Sequence, residues 1–285
     1  MTRLVTLLGK PLRRRHSQVM HDAAFAAAGI DARYELQELE ADEVEAAVSA
    51  ARGDEWLGLG VTAPYKRVVA GLCDVVEGEA SAIGAVNNVT KDGDGRLVGF
   101  NSDAPGFRAG VERAMDRTLA GTAVVVAGAG GAAHAVVYAC LAAGARSVTV
   151  GNRTAAAADT IATRFSGVGM GSTRGVVLGG AGFLDALVEA DLAVNATTVG
   201  MVDAGATIDV SLLRDAATVF DLVYVPAETP LLAEARARGL RAANGAEMLI
   251  AQAAIAFERW TGIAGMDGVM RDAVAPLLAD PAASA

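Results

Sequence analysis

Three polar clusters stand where apolar runs end, and together they hold the groups needed to move a proton. They are Thr62-Ala63-Pro64-Tyr65-Lys66, Asn87-Asn88 and Asn101-Ser102-Asp103. In α/β proteins, ligand groups gather at the ends of strands. A lysine, an aspartate and an amide could together take the proton of an alcohol while a hydride leaves its carbon. Lysine can exchange the proton. Aspartate can orient the lysine or serve as the base, and residue types alone leave that choice open. Pro64 ends a strand and fits the first turn of a helix, with Lys66 near its start. A plainer reading has Lys66 solvated, Asp103 as a helix N-cap and Asn87 as a turn residue.

A departing hydride needs an acceptor, and one stretch is suited to hold it. Thr122–Ala135 reads TAVVVAGAGGAAHA. Val124, Val125 and Val126 suit a strand buried on both faces. Gly128, Ala129, Gly130, Gly131 and Ala132 then form a glycine-rich turn. Such a turn lets phosphate oxygens approach peptide N–H groups. A helix over Ala132–Gly144 would aim its free N-terminal amides at an anion. Strand, turn and helix make a dinucleotide pyrophosphate site, although a purely structural βα turn is glycine-rich too. Ala145–Gly151 is a second strand. Asn152-Arg153-Thr154 follows about twenty residues past the glycines, where such folds meet the adenosine ribose. No acidic residue is there to select NAD. A guanidinium, an amide and a hydroxyl suit a 2′-phosphate, so the cofactor expected is NADP. Ala155, Ala156 and Ala157 add no second cation, which leaves NAD possible.

The flanking elements are legible from apolar patterning. Strands are expected at Arg3–Gly9, Ala32–Leu39 and Leu57–Thr62. Helices are expected at Ser17–Ala28 and at Asp42–Ala51, the second capped by Asp42. Val86–Thr90 and Arg96–Asn101 flank the turn Lys91-Asp92-Gly93-Asp94-Gly95 as a hairpin. Asp103–Met115 reads as a helix, Asp191–Thr197 and Thr218–Tyr224 as strands, and Thr229–Arg238 as a helix. After Leu240 only helices are expected, Ala246–Trp260 and Met266–Leu278. A Rossmann domain seldom needs two extra terminal helices, so these are expected to return to the first domain. The fold class is therefore α/β and two-lobed. An N-terminal α/β substrate domain (1–103 with 240–285) joins a Rossmann-like dinucleotide-binding domain (104–239), and a cleft would set substrate against cofactor.

Composition narrows the partners. The 285 residues suffice for two modest domains, and 53% are hydrophobic, as buried parallel strands require. The formal charge of -9 argues against nucleic acid or an anionic membrane as partner. Cys73 and Cys140 fall in apolar, helical contexts and read as buried thiols of a reducing cytoplasm. No apolar run is long enough for a membrane span, and the N-terminus lacks a signal-peptide core. His16, His21 and His134 are scattered, so no metal site is expected. The tail from Asp280 to Ala285 is expected to fray. The partner expected from these residues is a small molecule that carries an alcohol, and the chain is expected to act as a monomer or homodimer.

With these residues assembled, the chain resembles the shikimate dehydrogenase family from about Gly9 to Gly262. Thr62-x-Pro64-x-Lys66 is similar to the family's catalytic lysine motif. Ala85-Val86-Asn87-Asn88 and Asn101-Ser102-Asp103 match its asparagine and Asn-Thr-Asp motifs. Gly128-Ala129-Gly130-Gly131-Ala132-Ala133 and Asn152-Arg153-Thr154 match its cofactor and phosphate-reading loops. Asn195-Ala196-Thr197-Thr198-x-Gly200-Met201 follows, then Asp221-x-x-Tyr224-x-Pro226, Gly245-x-x-Met248-Leu249-x-x-Gln252 and Phe257-x-x-Trp260-x-Gly262. The resemblance implies that Lys66 and Asp103 are the catalytic pair. It implies that Asn87, Thr62 and Gln252 hold substrate hydroxyls, and that Thr197 belongs to the cofactor site. Tyr224 and Met248 would line the cleft near the nicotinamide.

The departures bear on the substrate. The family's N-terminal loop usually reads Gly-x-Pro-x-x-His-Ser-x-Ser-Pro, and its two serines hold the substrate carboxylate. Those serine positions are Arg15 and Ser17 here, and the proline position is Gln18. Gly60 stands where the family usually has asparagine. Arginine can grip a carboxylate bidentately, so the anion site can persist with new geometry. Alternatively, Arg13-Arg14-Arg15 is a solvated basic loop. The expected activity is NADP-dependent interconversion of 3-dehydroshikimate and shikimate. The alternatives are a paralogue acting on quinate, an aminoshikimate or another hydroxy acid, or a regulator that binds without turnover.

Overall fold

A computed structural model of the chain describes residues 2–12, 14–201 and 205–279. Arg13 and the tail expected to fray lie outside those residues. The chain divides into two compact units, Met1–Asp103 with Ile250–Ala285, and Ala104–Leu249.

The first unit holds strands β1 (Arg3–Gly9), β2 (Ala32–Glu38), β3 (Trp56–Val61), β4 (Val75–Val76), β5 (Asn88–Lys91) and β6 (Leu97–Phe100). Its early helices are α1 (His16–Ala27), α2 (Val44–Ala50), α3 (Lys66–Ala70) and α4 (Gly78–Ile83). The sheet order is β2-β1-β3-β5-β6-β4, parallel from β2 to β3 and antiparallel from β3 through β6. In the expected hairpin between β5 and β6, Asp92 Oδ1 accepts from the amides of Asp94 and Arg96, both at 3.0 Å. On one face of the sheet, Leu8, Leu59, Val61, Val69 and Val86 form a continuous core.

The second unit follows helix α5 (Asp103–Met115), whose first residue belongs to the first unit. Its strands are β7 (Ala123–Ala127), β8 (Ser147–Asn152), β9 (Ser172–Val177), β10 (Leu192–Asn195), β11 (Thr218–Asp221) and β12 (Arg241–Asn244). Helices α6 (Gly131–Ala142), α7 (Ala155–Phe165), α8 (Ala181–Val188) and α9 (Pro230–Ala237) connect them. Every pairing is parallel, in the order β12-β11-β10-β7-β8-β9. Every residue of β7 is buried, as its unbroken apolar run requires of a central parallel strand. Helices α10 (Ala246–Thr261) and α11 (Asp267–Ala279) close the chain.

Four details differ from the sequence reading. The boundary expected at 240 lies at 249/250, because β12 pairs in register with β11 and holds its residues in the second unit. β12 was hidden because Arg-Ala-Ala-Asn is an edge segment with no β-branched or aromatic residue. Helix α2 is N-capped by Glu43, not Asp42, because a turn from Glu40 to Glu43 occupies the preceding residues. Pro64 lies outside α3, whose N-cap is Tyr65, so Lys66 itself opens the helix. Cys73 is half-buried in a turn rather than a helix, and both cysteines are free.

Candidate active site

In the first unit, strand ends bring the three clusters together. The Val61 amide donates to Asn87 O at 2.8 Å, and the Val86 amide donates to Lys66 O at 2.9 Å. The segment after β3 and the segment before β5 are thus tied backbone to backbone. Across 37 positions of sequence, Lys66 Nζ lies 2.6 Å from Asp103 Oδ2. Their side chains keep 26% and 16% exposure, so the pair is sheltered but open to a ligand. Asn101 Oδ1 accepts from the Asp103 amide at 3.0 Å, while Asn101 Nδ2 donates to Ala85 O at 3.0 Å. That side chain fixes where the aspartate leaves the strand.

Ser102 is the hub of the buried polar groups around the pair. Its hydroxyl receives Asn88 Nδ2 at 2.8 Å and Asn87 Nδ2 at 3.2 Å, and donates to Gln252 Oε1 on α10 at 3.2 Å. Buried amides must be satisfied, and a network that satisfies them is rigid. Asn87 Oδ1 is fully committed, accepting from the Ser102 amide and from Asn88 Nδ2, both at 2.8 Å. What Asn87 retains is an N–H donor, the group needed to hold a substrate oxygen. In sequence Ser102 stands out only as the middle residue of Asn101-Ser102-Asp103, and that position beside Asp103 is the available signal.

Arg15 and Ser17 stand at the start of α1, apart from this network. Arg15 is exposed at the N-cap, and its Nε donates to Gln18 Oε1 at 3.0 Å. Gln18 Nε2 donates in turn to Tyr34 O at 3.0 Å. Ser17 and Thr62 are half-buried. No hydrogen bond among the described residues joins Arg15, Ser17 or Thr62 to Lys66 or Asp103.

In the second unit, chain order reverses between β7 and β10, which makes their carboxyl ends a topological switch point. Ligands of open α/β sheets bind there. Gly128 leaves β7 with φ +109, and a Cβ on it would lie 2.8 Å from Thr197 Cγ2 and 2.9 Å from Ala196 O. Only glycine brings the two loops so close. At Gly130 and Gly131 a Cβ would meet open space. Gly130 caps α6 without a side chain, so the first amides of this helix face outward to an anion. Ala129 and Ala132 beside them are half-buried.

The adjoining loops complete that rim. The Gly128 amide donates to Gly151 O at 2.7 Å, which brings Asn152-Arg153-Thr154 beside the glycine turn. Asn152 Nδ2 donates to Thr154 O at 3.1 Å. Arg153 is exposed and has no hydrogen bond or ion pair to any described residue, so its guanidinium is available to a phosphate. After β10, Asn195 Oδ1 accepts from the Thr197 amide at 3.1 Å and from Thr197 Oγ1 at 2.7 Å. Asn195 Nδ2 donates to the fully buried Asp221 at 2.8 Å, and Thr229 Oγ1 donates to the same carboxylate at 2.7 Å. Burial raises the Asp221 pKa above the ordinary carboxylate value, and these donors work against that rise. Tyr224 lies in the loop after β11 and Met248 in the first turn of α10, both half-buried. The expected cofactor residues thus follow the carboxyl ends of four parallel strands, and Tyr224, expected at the substrate, follows a fifth. The anion-facing amides, the open glycine positions and the unpaired arginine fit NADP. No group of three His, Cys, Asp or Glu suited to a metal occurs among the described residues.

Comparison with known proteins matches segments in each of the two units. Residues 7–89 match the family model for the shikimate dehydrogenase substrate binding domain. Residues 111–200 match that for shikimate/quinate 5-dehydrogenase, and 245–275 that for the shikimate 5′-dehydrogenase C-terminal domain. The shikimate dehydrogenase (NADP+) of Geobacillus kaustophilus is 38% identical over 92% of this chain and 94% of its own. The family is shikimate dehydrogenase. This chain belongs to it.

Solved shikimate dehydrogenase relatives share the fold. The shikimate 5-dehydrogenase of Thermus thermophilus, in complex with NADP(H) and shikimate, superposes with a TM-score of 0.82 at 35% identity. That match covers 95% of this chain and 99% of that one. The quinate dehydrogenase of Corynebacterium glutamicum, in complex with NAD, gives 0.89 at 33% identity, covering 97% and 99%. Members of one fold thus carry different substrates and cofactors in their names, and the three departures of this shikimate dehydrogenase family member, Arg15, Gln18 and Gly60, lie in the segment that matches the substrate binding domain. No helix among the described residues is long and apolar enough to cross a membrane.

Proposed function

We propose that the protein is an NADP-dependent dehydrogenase that interconverts shikimate and 3-dehydroshikimate. The observation that carries this reading is the Lys66–Asp103 pair at 2.6 Å, with Asp103 following directly on Ser102, whose hydroxyl joins Asn87 and Gln252. NADP, when bound, supplies the hydride acceptor. Every other task falls to the chain. Asn87, Thr62 and Gln252 hold the ring hydroxyls so that one carbinol is presented to Lys66 and Asp103. As that carbinol becomes a carbonyl, its proton passes to the pair, and in the reverse direction the pair returns it. Arg15 and Ser17 take the carboxylate, with charge-assisted bonds from the guanidinium. The outward amides from Gly128 to Ala132 receive the pyrophosphate, Asn152, Arg153 and Thr154 the 2′-phosphate. Thr197, Tyr224 and Met248 bound the nicotinamide end.

A second reading, a paralogue acting on quinate or another hydroxy acid, is favoured by one observation. Arg15 is exposed and braced by Gln18 where the family usually has a carboxylate-binding serine. Steady-state turnover of shikimate and quinate, each with NADP and with NAD, separates the two. The proposal expects the highest kcat/KM for shikimate with NADP. Turnover of quinate alone would move the assignment to the paralogue. Cofactor binding without any turnover would favour a regulator.

A further inference from the structure

Position 60 is glycine, and another residue fills the space of its missing side chain. Residues 60 and 62 project to the same face at the end of β3, because side chains alternate along a strand. A Cβ built on Gly60 would lie 2.6 Å from Tyr34 Oη and 3.1 Å from Leu7 Cδ1. Tyr34 stands on β2, and β1 lies between β2 and β3. Its phenol therefore reaches across one strand to put a hydroxyl at position 60, ~7 Å before Thr62 along the strand at ordinary strand rise. A side chain at 60 and this hydroxyl exclude each other.

That hydroxyl is otherwise unused. Tyr34 is 3% exposed, and a buried tyrosine normally finds a partner for its O–H. The Tyr34 amide donates to Asp22 Oδ1 at 2.8 Å, and Tyr34 O accepts from Gln18 Nε2 at 3.0 Å. The ring is clamped, stacked on His21 at 4.6 Å and tilted against Trp260 at 6.3 Å. Yet Oη has no hydrogen bond to any described residue. It is also not among the fully enclosed polar atoms that lack a partner, so it keeps a small exposed surface. Burial pushes the phenol pKa well above its ordinary value, which keeps the group protonated and a donor. The Gln18 contact ties the same residue to Arg15, to which the proposed function gives the carboxylate.

We propose that Tyr34 Oη is a substrate-binding donor that stands in for a side chain at position 60 and grips the carboxylate of the hydroxy acid. This assignment rests on the proposed function, and it adds a specificity residue to it. The test is steady-state kinetics with NADP of the unmodified chain, Tyr34→Phe, Gly60→Ala and the double variant, on shikimate and on its uncharged methyl ester. Tyr34→Phe keeps the ring packing and removes only the hydroxyl. Its KM for shikimate should rise about tenfold, the scale of one hydrogen bond to a charged group, with kcat nearly unchanged. The penalty should largely vanish on the ester, and KM for NADP should not move. Gly60→Ala should raise KM in the normal background and much less in the Tyr34→Phe background, where the crowding atom is gone. An unchanged KM for Tyr34→Phe, with or without a change in melting temperature, would overturn the assignment. So would equal penalties on acid and ester, or a Gly60→Ala effect that ignores residue 34. No shikimate turnover by the unmodified chain would instead defeat the functional reading, and the assignment with it.

Discussion

His21 gives the chain a pH-dependent stability whose sign and size follow from its surroundings. The imidazole is 2% exposed, stacked on Tyr34 at 4.6 Å and on Phe257 at 6.4 Å, and tilted against Trp260 at 5.1 Å. Its Nδ1 is enclosed and has no partner. Burial without a counter-charge pushes its pKa from 6.5 down to about 3. The folded state therefore keeps His21 neutral while the unfolded state takes up a proton as pH falls below 6.5. The unfolded state binds more protons in that window, so stability falls with falling pH. At pH 7 the unfolded histidine is mostly neutral; at pH 5 it favours the protonated form by ~30 to 1. Integrating between those values, His21 alone removes about 2 kcal/mol of folding stability on going from pH 7 to pH 5. Other groups are shifted too and add their own pH dependence: Asp74 and Asp191 are held below the carboxylate value, Asp22 and Asp221 above it, and His16 is lowered. The assay must therefore be a difference. Urea unfolding of the unmodified chain and of His21→Phe, at pH 7, 6 and 5, cancels the shared background. The unmodified chain should lose about 2 kcal/mol more than the variant between the extremes. Parallel pH dependences would refute the reasoning.

Two further outcomes test the cofactor unit. Arg153→Ala should lower kcat/KM with NADP by about tenfold or more while leaving NAD nearly unaffected, since only NADP offers a phosphate to the guanidinium; equal losses with both would remove Arg153 from that role. Gly128→Ala should weaken NADP binding in calorimetry by at least about tenfold, because the residue has φ +109 and its Cβ would meet Thr197 and Ala196; unchanged affinity would mean that the approach of the two loops is unimportant.

Much of the site was legible because its chemistry lies where apolar runs stop. Lys66, Asn87 and Asp103 read as strand-end groups; the structure pairs Lys66 with Asp103 directly and joins Asn87 to Ser102, the residue before Asp103. The turn after β7 was legible because consecutive valines and clustered glycines have few other uses. What stayed hidden was decided by tertiary contact. β12 is a strand because β11 offers it an edge, not because Arg-Ala-Ala-Asn favours one. Tyr34 reads in sequence only as an alternating strand residue. Its meeting with Gly60 needs β2, β1 and β3 in register, which no local pattern states.

The most direct test of the central claim is kcat for shikimate oxidation with NADP, compared between the unmodified chain and Lys66→Ala, with fold and NADP binding checked for both. The account predicts turnover by the unmodified chain and a loss of about a hundredfold or more in the variant, the ordinary scale of acid–base catalysis, with NADP still bound. A Lys66→Ala variant that keeps its kcat would contradict the role of the Lys66–Asp103 pair.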